Sequence, residues 1–261
     1  TSGSNVTLVD AGAIDLGAST VSGTYAVTAT ADGDITDSGV LAITGTSTLT
    51  AADEQSIILD QSSTFGTVAF VASSGNLKNV TINDSNALDL SALTLAQVSG
   101  AGGNLTVTAG GAVTDSGTLV IPGTATISAS GQDVTLNDSS NNFGTATITG
   151  ANVAVTDTNA IALGASTISG TYSITADGNI TDDGAQVITG LTTLGAGSGI
   201  ITLDNSSNDF QGGLVIQSSG NVVLRDVGAI DLGAATVSGT YSVTAGGAIT
   251  DSGTQEITGV T

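Results

Sequence analysis

The sequence predicts an all-β protein whose short parallel strands wind into a right-handed parallel β-helix, or β-solenoid. Three observations predict this fold. The 261 residues include 37 Gly and one Pro, and they are rich in Thr, Val, Ile, Asn and Ser, which are residues of strands and turns. Apolar residues alternate with small polar ones, which gives each strand one buried and one solvated face. Similar stretches of sequence also recur along the whole chain, as in repeat proteins.

The sequence repeat is a unit of about 70 residues. Its copies open with an Asn followed by an apolar alternation, near residues 5, 79, 152 and 221. A block such as DAGAIDLGASTVSGTY (10–25) follows the first opening and returns as DTNAIALGASTISGTY (157–172) and DVGAIDLGAATVSGTY (226–241). No linker separates the copies. We therefore expect about 3.5 copies in a single repetitive solenoid over residues 1–261, with no separate domains.

A shorter period, about 24 residues long, lies inside the unit and is marked by Asp residues that end an apolar alternation. It predicts about eleven coils of about 24 residues with three short strands in each, every strand pairing with its equivalent in the next coil. Parallel crossovers favour the right-handed form. The marking residues are Asp10, Asp37, Asp60, Asp84, Asp115, Asp138, Asp157, Asp182, Asp204, Asp226 and Asp251.

Composition argues against several function classes. The chain has no Cys and no His, so it cannot form a Ser-His-Asp triad, a thiolate nucleophile or an ordinary zinc site. Lys and Arg number 2 against 23 Asp and Glu, a net charge of -21, which disfavours binding to nucleic acid. No apolar run approaches the roughly 20 residues of a membrane-spanning helix. We predict no catalytic, cofactor-binding or metal-ligating residue.

The aromatic residues fall into repeated positions and are expected to be core residues. One position exchanges Tyr for Leu between copies, which indicates packing rather than recognition of a ligand. A second position holds Phe after an Asp- or Asn-containing Ser-Ser corner, and a third holds Phe or Ile. The three sets are Tyr25, Leu105, Tyr172 and Tyr241; Phe65, Phe143 and Phe210; and Phe70, Ile148 and Ile216.

The Asp series allows two interpretations. If the corners align, roughly eleven carboxylates run down one edge and neighbours repel by about 0.9 kcal/mol in water. Asx-turns would compensate, because an Asp oxygen accepts hydrogen bonds from nearby backbone N–H groups. Structural calcium at the Asp-containing corners is the alternative, since calcium binds 6–8 oxygen ligands. Turn capping is the expected role, and no other cofactor is predicted.

The blocks that resemble AIDLGASTVSGTYSVTAGGAITDSG, alternating with corners such as ITLDNSSNDF, are similar to the repeat region of large bacterial surface exoproteins. These are the filamentous-haemagglutinin-like adhesins exported by two-partner secretion. The resemblance covers essentially the whole chain. It implies a right-handed parallel β-helix that forms the shaft of a secreted fibre. The N-terminal secretion domain of that family is not visible in this sequence.

We therefore expect a non-catalytic structural shaft of a secreted or cell-surface adhesin. Its partners would be further coils of the same chain or identical subunits end to end, with an unknown surface or matrix ligand. The main alternative is a polymerising subunit of an extracellular filament or sheath that stacks head to tail. A polysaccharide-acting β-helix enzyme is a minor alternative, because adjacent acids such as Asp53-Glu54 and Asp182-Asp183 resemble solvated turns.

Overall fold

The computed structural model describes residues 1–259, which are all-β and contain no helix. By packing, the chain divides into two units, Thr1–Ala129 and Ser130–Thr261. Each is a β-solenoid of stacked parallel strands, which confirms the predicted fold class. Counted over both units there are about 12 turns of roughly 21 residues. The expected eleven coils of about 24 residues were therefore too few and too long.

Short strands joined by polar corners make up both units. Unit 1 contains β1 Ser2–Gly3, β2 Val6–Asp10, β3 Ile14–Leu16, β4 Ser19–Val21, β5 Tyr25–Ala29, β6 Ile35–Asp37, β7 Leu41–Ala51, β8 Ile57–Ala72, β9 Asn79–Asp84, β10 Leu88–Leu90, β11 Leu93–Thr94, β12 Gln97–Val98, β13 Ala101–Gly102, β14 Asn104–Ala109, β15 Val113–Asp115 and β16 Leu119–Ser128. Unit 2 contains β17 Val134–Leu136, β18 Asn142–Gly150, β19 Val153–Asp157, β20 Ile161–Leu163, β21 Ser166–Ile168, β22 Tyr172–Ala176, β23 Ile180–Asp182, β24 Gln186–Ile188, β25 Thr192–Gly195, β26 Ile201–Leu203, β27 Asp209–Phe210, β28 Gly213–Ser219, β29 Val222–Asp226, β30 Ile230–Val237, β31 Tyr241–Ala245, β32 Ile249–Asp251 and β33 Gln255–Ile257.

Three strands make one coil, as the sequence predicted. In unit 1, β2, β3 and β4 form a coil, and the next coil lies directly on it. Strand β5 pairs with β2, β6 with β3 and the first part of β7 with β4, all in parallel. In unit 2, β22, β23 and β24 lie on β19, β20 and β21 in the same way. Backbone groups of each coil are thus satisfied by the coils next to it.

The sequence repeat does not contain a whole number of coils. Val80 is the second-copy counterpart of Val6, yet it stacks on the column of Ile14 rather than on that of Val6. That column continues from Ile14 through Ile35 and Ile57 to Val80. One repeat therefore spans three coils and one further strand. Unit 2 shows the same shift, because the fourth copy's strand lies on the column Ile161, Ile180, Ile201 and Val222.

The predicted aromatic positions are in the core. Nearly all of them are at most 6% exposed, which confirms packing as their role. Tyr241 is half-buried because its strand, β31, pairs on one side only within residues 1–259. Burial raises the pKa of the tyrosine hydroxyls, that of Tyr241 to about 12. The buried members are Tyr25, Leu105, Tyr172, Phe65, Phe143, Phe210, Phe70, Ile148 and Ile216.

Glycines occupy corners at which two coils approach too closely for a side chain. A Cβ atom at Gly45 would overlap the carbonyl group of Gly23, which lies in the adjacent coil. In unit 2 the same contact links Gly170, Gly190 and Gly212 in three successive coils. The corner glycines thus follow from the strand spacing of about 4.8 Å.

Gly45→Ala tests this account. We expect the substitution to lower the free energy of unfolding by about 1–3 kcal/mol, because backbone must shift to make room for the methyl group. Gly17→Ala is the control, since no atom lies within 4 Å of a Cβ placed there. Thermal and denaturant unfolding of both variants would measure the difference. Equal effects at the two positions would contradict the steric explanation.

Candidate functional site: carboxylates between coils

Most carboxylates with described contacts bind backbone amides at corners. The Asp that ends the first strand of each copy accepts a hydrogen bond from the N–H two residues later. The oxygen–nitrogen distance is 2.8 Å for Asp10 and Gly12, 2.9 Å for Asp84 and Asn86 and 2.6 Å for Asp226 and Gly228. These contacts are Asx-turns, so the expected capping role is confirmed at these corners.

Two of these carboxylates also bind the neighbouring coil. The second oxygen of Asp157 accepts the N–H of Phe143 at 2.6 Å, and that of Asp226 accepts the N–H of Phe210 at 2.6 Å. Both carboxylates are at most 2% exposed. Each Phe closes the Ser-Ser corner of the preceding repeat. The carboxylate therefore connects consecutive repeats, and this contact was not foreseen from the sequence.

Burial changes the acidity of these groups. The pKa of Asp157 is raised, chiefly by desolvation and also by repulsion from Asp177, while the amides of Phe143 and Asn159 oppose the shift. Desolvation likewise raises the pKa of Asp84 and of Asp37. The backbone amides that bind these carboxylates lower the pKa, but by less. For Asp84 the amides of Asn86 and Phe65 favour the charged carboxylate, and desolvation outweighs them.

A second class of carboxylate faces solvent and binds hydroxyl groups of the next coil. Asp15 accepts the Ser38 hydroxyl at 2.7 Å, and Asp231 accepts the Ser252 hydroxyl at 2.7 Å. Asp89 binds Ser116 and Thr114 in the same manner. The third copy differs at both positions, with Ala162 in place of the Asp and Asp183 in place of the Ser. Each such pair thus contains one carboxylate and never two.

Asparagines at the openings of the repeats link coils as well. Asn5 Oδ1 accepts the N–H of Thr24 at 2.9 Å, and Asn221 Oδ1 accepts that of Thr240 at 2.9 Å. Asn152 binds the N–H of Thr171 at 3.1 Å. The side chain satisfies a backbone donor at a corner, where no strand partner is available. This contact explains why an Asn opens every copy.

The expected single edge of carboxylates does not form. In the strand register, Asp10, Asp84, Asp157 and Asp226 each pair with an Ala of the next coil. Asp37, Asp115, Asp182 and Asp251 each pair with a Leu. The acids mark two different kinds of corner because a coil is shorter than their spacing along the chain. The condition on which a single column of carboxylates depends, that all these corners align, is therefore not met at these positions.

Among residues 1–259, no group of three or more Asp or Glu side chains could hold a metal ion. That the chain binds no cofactor stays a prediction, and structural calcium at the corners stays its alternative. The surface pocket beside Asp133 and Asn152 has a volume of about 130 Å³, and one beside Arg225 and Thr244 has about 280 Å³. Ligand pockets usually occupy about 300–1,000 Å³.

Among the described residues, no helix is long and apolar enough to cross a membrane.

One short segment departs from the parallel pattern. Strands β12 and β13 form an antiparallel hairpin in which Gln97 pairs with Gly102. Its turn contains Ser99 with φ 54° and Gly100 with φ 77°, two successive left-handed residues typical of a two-residue hairpin turn. This hairpin was not predicted from the sequence. The Ser-Gly pair among extra residues of the second copy is the signal that could have revealed it.

Coils joined by backbone ladders and by side-chain acceptors at their corners define a repeat protein of the β-solenoid class. Within that class, the chain belongs to the repeats of unknown function called DUF5649, which match residues 3–72, 77–149, 150–217 and 219–261. The matched stretches agree with the copies found in the sequence. Comparison with curated proteins and with solved structures gives no match.

The exchange in the third copy can be tested by a double-mutant cycle. Ala162→Asp places a carboxylate opposite Asp183, and we expect it to lower the free energy of unfolding by about 1 kcal/mol through repulsion. Adding Asp183→Ser restores the arrangement of the other copies and should recover the loss. Urea unfolding at low salt measures these two variants and the single variant Asp183→Ser, which completes the cycle. Additive effects of the two substitutions would show that the side chains do not interact.

The raised pKa values of Asp37, Asp84 and Asp157 predict greater stability in mild acid. A carboxyl with a higher pKa in the folded chain binds protons more readily when folded, so stability rises as the pH falls through the folded pKa. The gain in stability is complete once the pH lies below 3.8, the ordinary pKa of an Asp side chain. Unfolding midpoints measured from about pH 7 to pH 4 in moderate salt should therefore increase.

Asp84→Asn should flatten that pH dependence, because it removes one buried carboxyl but keeps an oxygen for the Asn86 amide. Asp10→Asn removes an exposed carboxyl and serves as the control. A pH profile altered equally by both substitutions would argue against burial as the cause.

Proposed function

We propose that the chain is a non-catalytic structural shaft of a large secreted or cell-surface adhesin. The observation that carries the proposal is the continuous stacking of parallel coils within each unit. In such a stack, backbone hydrogen bonds run from coil to coil, and pulling along the stack loads many of them together. The similarity of the repeats to haemagglutinin-like exoproteins supports the adhesin assignment. The family itself is one of repeats without an established function.

Charge and protease sites agree with an extracellular role. A net charge of -21 keeps elongated molecules apart in solution. Lys78 and Arg225 are the two basic side chains in the sequence, so a trypsin-like protease has few places to cut. The inter-coil acids also occupy structural positions: Asp157 and Asp226 bind backbone amides instead of facing one another across a cleft. This arrangement favours a scaffold over a glycosidase.

A polymerising filament subunit is the second candidate. Strands β2 and β3 pair only with β5 and β6 within residues 1–259, and β31 pairs only with β29. Exposed strand edges of this kind can pair with another chain. A subunit that stacked end to end would extend the same ladder without any linking polypeptide.

Intact mass and imaging of the native protein test the proposal. A shaft predicts a polypeptide well above 25.0 kDa that carries additional copies of the repeat and appears as fibres in electron micrographs. A polypeptide near 25.0 kDa that forms fibres in a concentration-dependent way would identify the filament subunit instead. Compact particles without fibres at any concentration would contradict both. Trypsin treatment of the folded and the urea-unfolded protein provides an independent check.

A further inference from the structure

In the third and fourth copies, the corner at the end of the first strand forms a pair of hydrogen bonds with the preceding repeat. We call this pair the repeat junction. In one bond, the residue after the Asp donates its N–H to the carbonyl oxygen of a corner residue, and the distance is 2.8 Å for Thr158 and Asn141 and for Val227 and Asn208. In the other, the carboxylate accepts the N–H of the Phe two residues after that corner residue.

The second copy has the first bond of the junction, from Ser85 to the carbonyl oxygen of Ser63 at 2.8 Å. Its Asp84 is 1% exposed, like Asp157 and Asp226 at the later junctions. Burial of the carboxylate thus accompanies contact with the preceding repeat at all three junctions. The bonds join residues of consecutive repeats within one unit in every case.

The first copy carries the same two groups without the contact. Asp10 accepts the Gly12 N–H in its own turn, as its counterparts do. Its side chain is exposed, and within residues 1–259 neither Asp10 Oδ2 nor the N–H of Ala11 has a hydrogen-bond partner. These are the acceptor and the donor that the later copies use in the junction. In the same first coil, the half-buried Leu8 and Ile14 line a cavity of about 150 Å³.

We propose that Asp10 and Ala11 form an interaction surface for the Ser-Ser corner of another repeat of this family, joined ahead of it in the same polypeptide. The inference rests on the proposed function as a shaft. Its partner would present a carbonyl oxygen and, two residues later, the N–H of a Phe, as Asn208 and Phe210 do. The three existing junctions all form between consecutive repeats of one chain, which favours a repeat of the same polypeptide over a second molecule.

The last described coil does not offer this partner. Residues 241–259 contain neither a Ser-Ser corner nor a Phe. The nearest corner, at Asn208 and Phe210, is already bound by Val227 and Asp226. Stacking residues 241–259 of a second molecule on the first coil would therefore leave Asp10 and Ala11 without their complementary groups.

A chain with residues 150–217 joined ahead of Ser2 tests the proposal. This joint gives the same spacing as the natural one, where three residues separate Gln217 from Asn221, just as Ser2 to Ser4 precede Asn5. In the extended chain, Asp10→Asn should lower the unfolding midpoint by about 3–6 °C, because the amide N–H₂ meets the Phe N–H donor at a buried site. In the 261-residue chain the same substitution should shift the midpoint by less than about 1 °C.

Asp226→Asn in the 261-residue chain is the positive control, and it should match the effect expected at Asp10 in the extended chain. An equally small effect of Asp10→Asn in both chains, beside a large effect at Asp226, would overturn the proposal. Added residues that stay sensitive to protease would do the same. Self-association of the 261-residue chain abolished by Asp10→Asn would assign the surface to a second molecule and also overturn it. Since the midpoints are measured on single chains, they do not depend on whether the native protein forms fibres.

Discussion

Hydrogen bonding between the backbones of successive coils is the constraint on which the rest of the structure depends. It fixes the separation of neighbouring coils at about 4.8 Å. Each corner must therefore fit against the corresponding corner of the adjacent coil at that distance. Glycine meets this requirement by omitting the side chain, as at Gly23 and Gly45. Asn and Asp meet it by accepting a backbone N–H that has no strand partner, as Asn5 does for Thr24.

The same constraint explains how a chain with a net charge of -21 buries several of its carboxylates. A buried carboxylate is costly unless hydrogen-bond donors surround it. Asp157 and Asp226 each receive two backbone amides, one from their own turn and one from the neighbouring coil. Part of the desolvation cost remains, as the raised pKa of Asp157 indicates. Both acids stabilise a particular register between coils, and the charge of Asp157 costs the fold some stability at neutral pH.

Much of the fold could be predicted from the sequence because period-2 alternation and recurrence are properties of the chain itself. Three strands per coil, parallel stacking and a buried aromatic core followed from them. The coil length did not, because Asp occupies two kinds of corner and its spacing along the chain therefore does not measure one turn. The pairing of Asp157 with Phe143 could not be found either, since it depends on which strand lies next to which. The hairpin at Gln97–Gly102 was missed because its turn residues occur inside extra residues of a single copy.

A repeat of three coils and one strand has a consequence for a chain of nearly identical copies. If each repeat filled a whole number of coils, the same acid of every copy would fall into the same column of the stack. The extra strand moves each copy to the next column instead, as the separate columns of Val6 and Val80 show. Asp10 and Asp84 are the last residues of these two strands and are separated in the same way. The third copy achieves a similar separation locally by exchanging Asp for Ala162 and Ser for Asp183. The exchange in the third copy keeps two like charges of adjacent coils out of direct contact, where repulsion would act against the backbone ladder. The extra strand has a smaller electrostatic effect, because equivalent acids three coils apart would be separated by about 14 Å and screened by salt.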